Sequence, residues 1–257
     1  MAAARVMMSA SSISTSSSTI FKVAATPLLK PNRLRPCFNT HNKLVSSKRF
    51  FTCRALYKPH VQITEEGLPE TLDYRVFFVD DSGKKISPWH DIPLHLGDGA
   101  FNFIVEIPKN QVQKWRYNIN WNYGLLPQTW EDPSFANPDV DGAFGDNDSV
   151  DVVEIGENRG KVGQLMKVKP LGCLAMIDEG ELDWKIVAIS LDDPRAPLVN
   201  DVDDVDKHFP GTLMAIRDWF RDYKIPDGKP ANKFGLGNKV ANKKFSEFTR
   251  YQSRQLP

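Results

Sequence analysis

The chain has 257 residues, 41% hydrophobic and 25% charged, which is enough apolar material for a core and excludes a fully disordered protein. It has no run of about 18 apolar residues that could form a transmembrane helix, three Cys are too few for a secreted disulfide scaffold, and no fixed-period repeat is visible. The formal net charge of +1 hides a division: of 33 Lys and Arg, ten lie in residues 1–64, which hold no acid, and the other 23 face 32 acids, so residues 65–257 carry −9.

The basic leader is rich in Ser, Thr and Ala, with SSISTSSST at 11–19. That composition reads as an organelle transit peptide rather than a secretory signal, and it ends near Arg54 or Ala55, so residues 1–54 are expected to be removed. The acidic body argues against a nucleic-acid duplex as partner and fits a protein that gathers carboxylates around cations. No membrane partner is expected.

In chain order, residues 72–79 (LDYRVFFV) read as a strand and 80–85 as the turn after it. Asn102 to Ile107 alternates and stops at Pro108. Val150 to Ile155, Gly163 to Val168, Leu171 to Ile177 and Trp184 to Ile189 read as four more strands, a spacing that suggests a barrel or sandwich. Cys173 lies in one of these apolar runs and reads as a small buried hydrophobe. One helix follows Pro210-Gly211, with Leu213, Ile216, Trp219, Phe220 and Tyr223 at helical spacing, and it ends at Ile225-Pro226-Asp227-Gly228.

Three constellations carry chemistry. In Gly145-Asp146-Asn147-Asp148-Ser149-Val150-Asp151, Asp146 and Asp148 can face one way, and Asp151 joins them only if the chain turns between Asn147 and Ser149. Three such charges repel unless a cation neutralises them, and hard oxygen ligands suit Mg²⁺ or Ca²⁺. A solvated acidic turn is the plainer alternative. An EF-hand fails because the sixth position, where Gly is needed, is Asp151. The second constellation is Asp178-Glu179-Gly180-Glu181-Leu182-Asp183-Trp184-Lys185, where Asp183 and Lys185 share a face and read as a metal ligand beside a phosphate contact. The third places Tyr223 and Lys224 at the helix end, either to grip an anion or to cap the helix.

With EIPK at 106–109, NYG at 122–124 and PQTWEDP at 127–133, these motifs resemble, in order, the soluble (family I) inorganic pyrophosphatases, the plant plastid branch in particular, over roughly residues 65–245. The resemblance implies Mg²⁺-dependent hydrolysis of pyrophosphate to two phosphates. The implied fold is mainly β, a five-stranded closed OB-like barrel with helices packed outside. Asp146, Asp151 and Asp183 would bind the shared Mg²⁺ ions, and Asp178 a further one supported by Glu179. Asp148 would orient or deprotonate the attacking water. Lys185, Tyr223 and Lys224 would hold phosphate oxygens, Glu106 would sit at the rim, and Tyr123 would hydrogen-bond near the nucleophile. The partners implied are pyrophosphate and phosphate, in a monomer or homodimer of the chloroplast stroma.

The chain departs from the family pattern at four places. Ser149 stands where Pro is usual, and Ile119 where many members have a second Tyr. Only sixteen residues separate Glu106 from Tyr123, a stretch that is longer in the family and carries strands, so the barrel is expected to be incomplete by an internal deletion. Arg116, within Lys114-Trp115-Arg116-Tyr117, is the remaining candidate for an active-site Arg. The apolar pattern is lost after Asn242, which makes 246–257 a divergent tail. These departures raise an alternative function: a catalytically weak isoform that keeps Mg²⁺ and phosphate binding or pairs with an intact subunit.

Overall fold

The computed structural model describes residues 61–69, 71, 73–110 and 119–242. The leader, the tail at 246–257, Lys114 and Arg116 lie outside the described residues. Three strands, β1 (Gln62–Glu66), β2 (Arg75–Val79) and β3 (Lys85–Ile86), pair antiparallel in that order. Phe78 of β2 is buried with Ile92, Ile104 and Leu125, which fastens this sheet to the rest of the body.

The larger sheet contains β4 (His95–Gly97), β5 (Ala100–Ile107) and β6 (Asn122–Leu125). A small hairpin, β7 (Ala136–Asn137) with β8 (Ala143–Phe144), interrupts it before β9 (Asp151–Glu154), β10 (Leu165–Asp178) and β11 (Glu181–Ser190). Helices α1 (Val202–His208) and α2 (Thr212–Asp222) follow. Two short strands, β12 (Lys233–Phe234) and β13 (Ala241–Asn242), then pair with β10.

Five strands succeed one another in a ring: β5 pairs β6, β6 pairs β9, β9 pairs β11, β11 pairs β10, and β10 pairs β5. The β9–β11 pairing is parallel and the others antiparallel. The expectation of missing strands is therefore not met among the described residues. The physical reason is that Ile107 and Tyr123 are already ladder partners. The described ends of the connection are tied to each other and to β6, by Lys109 N–H to Asn122 Oδ1 at 2.9 Å and Asn110 N–H to Ile119 O at 2.8 Å. Gly124 makes the β5–β6 approach possible, because a Cβ there would lie 2.0 Å from the Ile104 carbonyl oxygen.

The two strands expected at 163–168 and 171–177 are one 14-residue strand, β10. Pro170, which has no N–H, is accommodated by a register shift between Pro170 and Gly172. Period-two alternation sorts the side chains into two cores. Phe103, Val105, Val152, Cys173, Ala175, Trp184 and Ile186 belong to one. Val153, Leu174, Met176, Val187 and Ile189 belong to the other, with Ile216 and Phe220 of α2. Ile119, at the position where a second Tyr is usual, is buried in this second core. By the same alternation Asp151 and Lys185 fall on the α2 side of their strands. Leu213, Ile216 and Phe220 are the buried stripe of α2, as their spacing predicts. Burial pushes the Cys173 thiol up to about 12, so it behaves as a hydrophobe. No helix among the described residues is long and apolar enough to cross a membrane.

Candidate active site

The acidic turn before β9 is held in shape by the loop at 127–132. Glu131 N–H donates to Asp148 O at 2.8 Å, Asn147 N–H to Glu131 O at 2.9 Å, and Gly145 N–H to Asp132 O at 3.2 Å. Gly145 is required for this contact, since a Cβ would sit 2.4 Å from the Glu131 carbonyl. The chain reverses at Asn147, which has φ 69 and accepts a 2.9 Å hydrogen bond on Oδ1 from Trp130 Nε1. This is the turn that the three-carboxylate spacing demanded. Asp148 N–H donates to Asp146 Oδ1 at 3.0 Å, and Asp148 Oδ1 accepts from Ser149 N–H at 2.7 Å. A Pro at 149 could not make the second bond.

Carboxylate oxygens of Glu131, Asp146 and Asp183 lie within 4.8 Å of one another. Glu131 and Asp183 are buried and Asp146 is half-buried. Glu131 Oε1 accepts a 2.7 Å bond from Trp184 N–H, while its Oε2 is buried and accepts none. Burial first, then the charges of Asp183 and Asp146, hold the Glu131 carboxyl well above its ordinary range. Burial pushes Asp183 up to about 7 against the pull of Lys185, with Asp151 and Asp146 adding to the rise. Asp146 is raised too, mainly by burial. Close buried carboxyls of this kind keep protons unless a cation takes their place. The donors are all oxygen, which fits a hard divalent ion.

Asp151 reaches the same centre through Lys185. The two residues are register partners across the β9–β11 pair. Lys185 Nζ is 2.5 Å from Asp151 Oδ2 and 2.5 Å from both Asp183 oxygens, and it donates to Tyr123 Oη at 3.2 Å. Tyr123 Oη in turn donates to Asp151 Oδ2. Burial works against the Lys185 charge, but Asp151 and Asp183 outweigh it and the ammonium is held well above its usual pKa. Burial also keeps the Tyr123 phenol protonated. Glu106, on β5, is pushed up to about 8 by burial and then by the Asp151 and Asp148 charges.

The β10–β11 hairpin turns at Glu179 and Gly180, with φ 52 and 104, as a tight two-residue connection requires. Asp178 Oδ2 accepts from Tyr223 Oη at 3.3 Å and from Lys224 Nζ, while its Oδ1 is buried without a hydrogen bond. Glu179 points elsewhere and pairs with Lys229 at 2.7 Å. That hydrogen bond and charge lower its pKa. Burial raises the Tyr223 phenol, with Asp178 adding to it.

The fold thus brings Asp146, Asp151, Asp183, Lys185 and Tyr123 together, with Glu106 near enough to feel the charges of Asp151 and Asp148. Asp178, Tyr223 and Lys224 form an adjoining group. Arg116 lies outside the described residues. Glu131 was not singled out by sequence reasoning. Its one signal was membership of PQTWEDP, and a single acid between Trp and Asp does not announce that it will meet two distant aspartates.

The inorganic pyrophosphatase family matches residues 106–251. Soluble inorganic pyrophosphatase 6, chloroplastic, of Arabidopsis thaliana is 65% identical over 233 residues, covering 82% of this chain and 78% of that protein. The type I inorganic pyrophosphatase of Toxoplasma gondii superposes with a TM-score of 0.69 at 38% identity, covering 75% of this chain and 96% of that one. The N-terminal-domain-truncated vacuolar soluble pyrophosphatase of Trypanosoma cruzi, solved in complex with PPi, superposes with a TM-score of 0.68 at 35% identity, over 82% of this chain and 94% of that one. Motifs, ring and acidic centre agree with these likenesses, and the chain belongs to the inorganic pyrophosphatase family.

Proposed function

We propose that this chain hydrolyses inorganic pyrophosphate to two phosphates in the chloroplast stroma, with Mg²⁺ as its cofactor. The observation that carries the metal is the Glu131, Asp146 and Asp183 group, with an orphaned Glu131 oxygen, joined to Asp151 through Lys185. Asp146, Asp151 and Asp183, with Glu131, would hold the ions. Asp178, which also has a buried oxygen without a partner, would hold a further one, and Glu179, paired with Lys229, would support the turn that carries it. A bound divalent ion supplies neutralisation of the pyrophosphate polyanion and acidification of a water.

The rest of the reaction falls to the side chains. Asp148 takes a proton from the attacking water as the new P–O bond forms. The bridging P–O bond breaks, and its electron pair leaves with the departing phosphate. Lys185, Tyr223, Lys224 and Arg116 hold phosphate oxygens and compensate their charge. Tyr123 fixes Asp151, and Glu106 stands at the rim as a carboxyl that burial keeps protonated up to about pH 8. The chloroplastic Arabidopsis relative supports the compartment, and the acid-free leader at 1–54 supports delivery there, ahead of a pyrophosphatase domain at 65–245 and a divergent tail at 246–257.

A catalytically weak isoform is the second reading. Of the 257 residues, 82% is about 211, which leaves about 22 of the 233 positions aligned with the Arabidopsis protein without a counterpart here. A segment shortened between Glu106 and Tyr123 would remove groups that contact the substrate. Phosphate release from pyrophosphate by the purified protein, with and without Mg²⁺, separates the readings. Turnover that needs Mg²⁺ and is abolished by Asp148→Asn supports the enzyme. A folded protein that binds Mg²⁺ without turnover supports the isoform.

A further inference from the structure

Phe220 lies at the meeting point of three elements. It is 2% exposed, near the end of α2. Its ring centroid is 5.9 Å from that of Tyr123 on β6 and 5.9 Å from that of Tyr223 at the helix end. Lys185 Nζ on β11 sits 5.3 Å from the same ring. Trp219 packs against it edge-on at 4.9 Å, and Trp121 stacks at 6.3 Å. Its backbone is also tied down from beyond the helix. Asn232 Nδ2 donates to Phe220 O at 3.0 Å, and Asn232 N–H to Arg221 O at 2.9 Å.

We propose that Phe220 is a positioning residue for the anion-gripping groups. Its ring indexes Tyr123 and Tyr223 to each other, and its π face holds the Lys185 ammonium against the pull of Asp151 and Asp183. An aliphatic side chain could fill the same apolar wedge, but only an aromatic ring offers a face of negative quadrupole to a desolvated ammonium within about 6 Å. Lys185 is buried, so this attraction acts with little screening by water. The inference rests on the reading of Lys185 as a phosphate contact.

The test is a series of fluorinated phenylalanines at position 220, carrying one, two and three ring fluorines in the full chain. These analogues keep the shape of the side chain while draining the negative face of the ring. Stepwise loss of kcat/KM for pyrophosphate, reaching about threefold to tenfold in total with an unchanged unfolding temperature, is the expected result. Phe220→Leu should lose at least as much per folded molecule. In a Lys185→Met background the fluorine series should be flat. Activity that ignores fluorination in the parent protein, or falls equally in the Lys185→Met background, overturns the inference. A Lys185→Met protein as active as the parent would overturn the reading of Lys185 itself and leave the ring geometry standing.

Discussion

Glu131 accepts a 2.7 Å hydrogen bond from the backbone N–H of Trp184, 53 residues further along the chain. That bond fastens the 127–132 loop to β11 between Asp183 and Lys185, and it leaves the other Glu131 oxygen buried and free to take a cation. Glu131→Gln can keep the bond to Trp184 while losing the charge. Magnesium affinity should fall about tenfold or more, as for other supports of a metal site. The metal-free protein should be about as stable as the parent, because the carboxyl that the amide replaces already keeps its proton there. Calorimetric titration and thermal unfolding check the two halves, and an unaltered affinity would remove Glu131 from the site.

Lys185 is the buried counter-charge of Asp151 and Asp183. Removing one member of a buried charge cluster leaves the others uncompensated, at a cost of about 3–5 kcal/mol. Lys185→Met should therefore destabilise the metal-free protein by that order, and Mg²⁺ should recover part of the loss. Urea unfolding with and without Mg²⁺ measures this. A variant as stable as the parent would mean that the carboxyls are already neutral.

The acidic centre predicts how metal-free stability depends on pH. Glu106 is raised to about 8 and Asp183 to about 7, burial being the largest cause in both. The folded protein therefore keeps protons that the unfolded chain releases near pH 4, so it binds more protons throughout the interval between. Stability is fully present below the unfolded pKa values and is lost as pH rises toward about 8. The unfolding temperature of chelator-treated protein should fall across that interval, and the gain on adding Mg²⁺ should grow. A rise across the same interval would contradict the arrangement.

Gly145→Ala tests the contact that shapes the acidic turn. The added Cβ would lie 2.4 Å from the Glu131 carbonyl. Overpacking of this kind costs about 1–3 kcal/mol. The larger effect should be on Mg²⁺ affinity, because Glu131 and Asp146 would move apart. Unchanged affinity with reduced stability would show that the turn tolerates the shift.

Much of this was legible because local patterns reach as far as their own element. The stripe Leu213, Ile216 and Phe220 marked α2, and the two-residue spacing of Asp183 and Lys185 put them on one face, with Asp183 Oδ1 2.5 Å from Lys185 Nζ. What stayed hidden depends on partners far along the chain. α1, with sequence VDDVDKH, has too few apolar residues to show a helical period, yet Val205 is fully buried. β6 is four residues long and contains Gly124, so it carries no strand signal, and its pairing with β5 and β9 completes the ring. Pro170 made one long strand look like two. Glu131 escaped notice because its meaning comes from the register that delivers Asp183 and Trp184 to it.

Magnesium uptake by the metal-stripped, full-length protein, followed by titration calorimetry beside an Asp146→Asn/Asp183→Asn double variant, probes the convergence of these distant acids most directly. Saturable binding in the parent, weakened about tenfold or more in the variant, is the predicted result. Folded parent protein that takes up no magnesium, or a variant that binds it equally well, would contradict a cation-trapping centre built from these residues.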